Sequence, residues 1–69
     1  MKITTCRKDI RPNTILKDND GYFLIQDYNS KLGWYNWVKC DKHGNVKTPY
    51  KDGCSTPAEL LGAEIIVEG

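Results

Sequence analysis

The side chains with chemistry to offer are gathered in the middle of the chain. Trp34-Tyr35-Asn36-Trp37-Val38-Lys39-Cys40 runs into Asp41-Lys42-His43-Gly44-Asn45 and then into Val46-Lys47-Thr48-Pro49-Tyr50. His43 is the single histidine, three residues after Cys40. A thiol–imidazole nucleophile pair needs its base within hydrogen-bond reach and a third group to orient it. The sequence offers neither an orienting group nor a cleft. It contains no Gly-x-Ser-x-Gly elbow and no glycine-rich phosphate loop. The expectation is a protein that is not an enzyme and uses no cofactor.

Cys40-Asp41-Lys42-His43-Gly44 also has the spacing of a zinc knuckle. Such a knuckle sets two ligands just before a glycine, so that turn amides face the metal-bound sulfur. Cys6 and Cys54 would complete a tetrahedron with Cys40 and His43. These two cysteines are isolated, however, and do not form a second close pair. An odd number of widely spaced cysteines is also no secreted disulfide framework. The plainer expectation is a hairpin turn over Asp41 to Asn45, Cys40 packed inward as a small apolar side chain, and no bound metal.

The aromatic run is the stronger lead. Alternate residues of a strand share a face. Trp34, Asn36, Val38 and Cys40 therefore lie on one side, with Tyr35, Trp37 and Lys39 on the other. If Val38 and Cys40 point inward, Tyr35 and Trp37 look outward. Large outward aromatics mark recognition surfaces; the alternative is that they cover a thin core. The candidate binding residues are Tyr28, Tyr35, Trp37, Lys39, Lys47 and Tyr50. A protein partner would use the aromatics as anchors and the lysines as a polar rim. Self-association through an exposed edge strand is a special case. Nucleic acid is the alternative partner, with Lys39, Lys42, Lys47 and Lys51 on phosphates and Tyr35, Trp37 or Tyr50 stacked on bases. The net charge of +1 is low for that role.

The elements that must position these residues are short. A chain of 69 residues allows one domain, residues 1–69. Its apolar stock supplies one thin core: Ile3, Ile10, Ile15, Leu16, Phe23, Leu24, Ile25, Val38, Val46, Leu60, Leu61, Ile65, Ile66 and Val67. Turn signals recur at short intervals, as in a small antiparallel β protein. Residues 1–6 could pair as a first strand. Arg11-Pro12-Asn13-Thr14 reads as a turn, with Asn13 tolerating left-handed geometry. Strands follow over 14–17 and 22–28, joined by the Asp18-Asn19-Asp20-Gly21 hairpin signal. A further strand covers 34–40 and another covers 46–50, where Pro49 marks an end or an edge. Residues 51–54 read as loop. Ser55-Thr56-Pro57-Ala58-Glu59-Leu60-Leu61 reads as a capped helical turn that Gly62 stops. Residues 63–68 form a closing strand. The fold class is therefore mainly β, a small and partly open five-stranded antiparallel barrel with one short helical turn before the last strand. No apolar stretch approaches a membrane helix and no signal peptide begins the chain, so a cytoplasmic protein with no membrane partner is expected.

This layout resembles the SH3-like small barrels. The likeness is carried by Asp9 to Lys17, the Asp20-Gly21 hairpin with Tyr22 to Tyr28, the Trp34 to Val46 hairpin, and the single turn before Ala63 to Glu68. It also resembles the small accessory proteins carried by bacteria, their phages and mobile elements. SH3-like barrels are, as a group, binding modules for peptides, proteins, RNA or DNA, so the resemblance implies a binding module. With the aromatic anchors, the near-neutral charge and the missing catalytic groups, the expectation is a non-catalytic protein-binding accessory or adaptor module. The acidic loop after an Ala-Leu-Tyr-Asp-Tyr-type start, which marks proline-rich peptide binding, is absent.

Overall fold

Apolar runs of three to nine residues, separated by turn-forming residues, build one sheet. The structure is a computed structural model that describes residues 1–47 and 52–69. Its strands are β1 (Ile15–Asp18), β2 (Gly21–Asn29), β3 (Trp34–Cys40), β4 (Gly53–Ser55) and β5 (Glu64–Val67). They are antiparallel throughout, in the order β4-β3-β2-β1-β5. The protein is thus mainly β. The two outer strands, β4 and β5, do not pair with each other, so the sheet is not closed.

Turn chemistry sets the hairpins. Asn13 holds a φ of 71°, and Thr14 N–H closes the turn on Arg11 C=O. Asn tolerates this left-handed geometry because its short polar side chain bonds locally. Between β1 and β2 the loop is Asn19–Asp20, with Asp18 paired to Gly21. The Asp18 carboxylate accepts Asp20 N–H at 2.8 Å and shapes that loop. Asn29 does the same between β2 and β3, accepting from Lys31 and Leu32.

A bulge decides which residues face the core. The β2–β3 register shifts between Ile25 and Asp27, leaving Gln26 as the extra residue. Strict alternation would put Tyr28 opposite to Ile25. The bulge returns Tyr28 to Ile25's side, where its ring lies 4.7 Å from that of Tyr35. The main core forms on this face from Ile3, Ile10, Leu16, Phe23, Ile25, Tyr35, Leu60 and Ala63, with Trp37 and Ile65 packed against it.

The other face is covered as well. Ile15, Val38 and Cys40 are buried there, and Gly44 of the Asp41–Asn45 loop packs over Ile15 and Leu24. The outward orientation expected for Tyr35 is therefore corrected. Val38 and Cys40 are buried, but so is Tyr35, at 0% exposure, because the sheet has cover on both sides.

Several boundaries differ from the sequence expectation. The N-terminal stretch contributes one isolated bridge, Lys2 to Glu64, and no full strand. Its backbone nonetheless bonds along β5 and the turn before it. Val46 makes only an isolated bridge to Cys40, and the rest of the strand expected over 46–50 lies outside the described residues. Gly53–Ser55, expected as loop and helix start, is strand β4.

The helical turn before the last strand does not form. Thr56 and Glu59 do make a reciprocal capping box, with Thr56 N–H on the Glu59 carboxylate at 2.8 Å and Glu59 N–H on Thr56 Oγ1 at 3.3 Å. The chain then makes a series of tight turns, and Gly62, at a φ of 88°, ends the segment before a helix can propagate. Val46, Leu61, Ile66 and Val67, expected in the core, are exposed.

Candidate binding groove

Trp37 is the pivot of the surface. It pairs with Ile25 on β2 and Gly53 on β4, and its indole N–H donates to Ser55 Oγ at 3.0 Å. Gly53 lets the ring lie directly on β4: a Cβ there would stand 2.7 Å from Trp37 Cζ2. Phe23, one strand over, meets Trp37 with ring centroids 5.2 Å apart and planes tilted by 52°. Phe23 is buried, while Trp37 is half-buried and reaches the surface.

Two adjoining hollows open over this pair. One, of about 260 Å³, is bounded by the turn at Leu60–Ala63 and by Asp18, Ser55 and Glu59. The next, of about 270 Å³, shares Phe23, Trp37, Ser55, Asp18 and Glu59 and extends to Asp20, Tyr22 and Lys39. Together they form a groove with an aromatic floor and three carboxylates on its walls. A larger open depression, of about 520 Å³, continues from Asp20, Gly21, Tyr22 and Lys39 to Lys42, His43 and Lys47. It lies where the Asn19–Asp20 loop meets the Asp41–Asn45 loop at one end of the sheet.

The Asp41 loop is built by its own carboxylate. Asp41 Oδ1 accepts the N–H groups of His43 at 2.8 Å and Asn45 at 3.0 Å, and Oδ2 accepts the Asn45 amide at 3.1 Å. These bonds, led by that from the Asn45 backbone, hold the Asp41 carboxyl below the usual carboxylate range. Asp41 is thereby committed to its own turn. Lys42 and Lys47, on either side, remain exposed.

The candidate residues divide accordingly. Trp37 and Lys39 line the groove together, and Lys39 and Lys47 line the depression together. Tyr28 and Tyr35 are withdrawn from the surface site. Tyr28 is half-buried against the core, and the Tyr35 hydroxyl donates to Arg7 C=O at 2.7 Å and accepts Ile10 N–H at 3.2 Å. Tyr50 lies outside the described residues.

The proposed zinc set is not assembled, since no three metal-binding side chains converge among the described residues. Cys6 and Cys54 are exposed and Cys40 is buried, all as free thiols. Burial pushes the Cys40 thiol up, away from the thiolate that metals bind. Sequence reasoning missed Tyr22, Phe23, Asp18, Asp20 and Glu59. The register of β2 against β3, which pairs Phe23 with Lys39 and Tyr22 with Cys40, brings the two aromatics beside Trp37, while Asp18 and Asp20 come with the β1–β2 hairpin and Glu59 with the turn after β4.

Comparison with protein-family models, curated proteins and solved structures finds no match to this chain. No helix among the described residues is long and apolar enough to cross a membrane.

Proposed function

We propose that this protein is a non-catalytic protein-binding module and that its binding surface is the groove over Phe23 and Trp37. One observation carries the reading: a half-buried tryptophan, fixed at its N–H by Ser55, floors an open groove walled by Asp18, Asp20 and Glu59. Tryptophans in such positions are preferred anchors of protein interfaces, because a large rigid surface is desolvated at little entropic cost. The SH3-like layout is consistent with a small module that acts through its outside. Three free thiols suit a reducing compartment such as the cytoplasm.

The test is capture of a partner from native cell extract, comparing the unaltered chain with Asp20→Lys and Trp37→Leu. Asp20 is exposed and its carboxylate makes no bond among the described residues, so Asp20→Lys changes the groove without touching the core. Loss of capture in both variants is expected. Full capture by both would remove the groove from the function.

A second reading draws on a separate observation: Lys39, Lys42, Lys47 and His43 line the adjoining depression together with Tyr22. Single-stranded nucleic acid would place phosphates on the lysines and a base on the tyrosine. Such binding must weaken steeply as salt rises. Affinity for an oligonucleotide that is flat between low and high salt would exclude it.

A further inference from the structure

We propose that the groove and the depression form one bipolar site for an extended peptide segment carrying a basic side chain and, three or four residues away, acidic ones. The inference rests on the protein-binding reading and names the chemistry of its partner. The basic side chain would lie over Phe23 and Trp37 between Asp18, Asp20 and Glu59. The acidic side chains would meet Lys39, Lys42 and Lys47.

Three observations support it. First, the hollows are continuous, because the aromatic groove and the depression share Asp20, Gly21, Tyr22 and Lys39. Second, opposite charges mark the two ends: of these hollows, Asp18 and Glu59 line only the groove and Lys42 and Lys47 only the depression, while Asp20 and Lys39 stand where the two meet. Arg7–Asp9 is the one ion pair among the described residues, and it lies elsewhere. Asp41, which also lines the depression, accepts three bonds within its own loop, whereas Asp18 and Glu59 each accept one backbone N–H. Third, the floor is aromatic and carboxylates stand around it. An arginine guanidinium or a lysine ammonium is attracted to the face of an indole, and the carboxylates around Trp37 add to that attraction.

The spacing follows from the strand. Trp37 to Cys40 is three steps along β3, roughly 10 Å at about 3.3 Å per residue. Lys42 lies just past the strand's end. An extended ligand has the same rise per residue, so its opposite charges must stand about three to four positions apart. A segment of one sign leaves half the site facing an uncompensated or like charge.

The experiment uses the full chain, labelled with ¹⁵N and titrated with three acetylated and amidated hexapeptides. The split peptide has one arginine, two alanines, two glutamates and a closing alanine, in that order. The basic peptide replaces its glutamates with arginines, and the acidic peptide replaces its arginine with glutamate. The split peptide is expected to shift both the Trp37 indole N–H and the Lys42 amide. It is also expected to bind about two- to fivefold more tightly than either single-sign peptide, the range of one exposed charge contact.

A chain carrying Lys42→Glu and Lys47→Glu, both at exposed positions, should invert the ranking and prefer the basic peptide. Asp20→Asn with Glu59→Gln, which keeps the capping box, should weaken the split and basic peptides and spare the acidic one. Equal binding of split and basic peptides, insensitive to the lysine changes, would overturn the bipolar site and leave the Trp37 groove standing. If no peptide moves the Trp37 indole, both the bipolar site and the protein-binding reading fail. Lysine-dependent binding of a single-stranded oligonucleotide without any peptide response would assign the depression to nucleic acid and overturn the proposal.

Discussion

Tyr35 ties the N-terminal segment to the middle of the sheet through its hydroxyl. The phenol donates to Arg7 C=O and accepts Ile10 N–H, groups 28 and 25 residues upstream. Tyr35→Phe keeps the ring against Tyr28 but leaves these two backbone groups without that partner. A buried polar group stripped of its bond costs about 1–3 kcal/mol. A chain of this size has roughly 3–10 kcal/mol of stability in total. Urea unfolding should therefore show a lowered midpoint with an unchanged slope, and an unchanged midpoint would mean that water replaces the phenol freely. Gly53 makes the complementary case, in which an absent side chain matters. Gly53→Ala drives a methyl group into the Trp37 ring, so the indole must shift away from β4. Such overpacking costs typically about 1–3 kcal/mol. The expected signature is reduced stability together with a displaced Trp37 indole resonance. A variant as stable as the parent, with that resonance in place, would show that β4 moves aside easily. Neither role was legible in the sequence. Alternation put Tyr35 and Trp37 on one face correctly, but it could not say that this face is covered, as is the face of Val38 and Cys40.

Local chemistry was most readable where a turn is set by its own residues. Asp18 and Asn29 each shape a loop through a side chain that bonds within a few residues, Asn13 adopts the left-handed φ of its turn, and strand β3 falls where its aromatic and branched residues predicted. Elements set by distant partners were not readable. Gly53–Ser55 is a strand because Trp37 and Asn36 pair with it, which no local pattern signals. The Thr56–Glu59 capping box is real, yet Gly62 lies too close for a helix to follow. The Asp41 loop belongs to the readable group, and its chemistry carries a pH dependence. Its carboxyl titrates below the ordinary value, mainly because it accepts the Asn45 backbone N–H. A depressed folded-state value means that the ionised carboxylate favours the folded loop. This contribution is fully present above the unfolded value of about 3.9 and is lost as pH falls through the lower folded value. Below about pH 4 the Asn45 backbone amide should change its chemical shift as its acceptor is protonated. Asp41→Asn, which cannot ionise, should abolish that acid-dependent step. An identical acid step in the variant would assign it to another carboxylate.

At the scale of the molecule, the deciding fact is that one open sheet is covered on both sides. The turns at residues 56–63 and the N-terminal segment lie over the Tyr35 face, while the Asp41 loop lies over Ile15 and Leu24. A pattern argument that allows one inside and one outside must misplace residues in such a fold. Cover on two faces also explains why Trp37, at the margin of the main core, reaches the surface. The N-terminal segment has a second duty at the sheet's edge. Met1 C=O accepts Ile65 N–H at 2.7 Å, Ile3 N–H donates to Ala63 C=O at 2.8 Å, and Gly62 N–H donates to Ile3 C=O at 2.9 Å. The first bond occupies an Ile65 backbone group that β5 would otherwise offer to another chain, the other two hold the turn before it, and Ile3, 3% exposed, fixes the segment in the core. Ile3→Ala should therefore do two things. It should lower stability by about 2–5 kcal/mol, as expected for a buried isoleucine truncated to alanine. By loosening residues 1–3 it should also free the β5 edge, and free edges pair. Sedimentation should then detect a concentration-dependent dimer in Ile3→Ala that the parent lacks. Adding Ile66→Lys, an exposed charge on β5 that discourages edge pairing, should restore the monomer without restoring stability. If Ile3→Ala loses stability but stays monomeric at all concentrations, the N-terminal segment serves the core alone and the β5 edge is protected by other means.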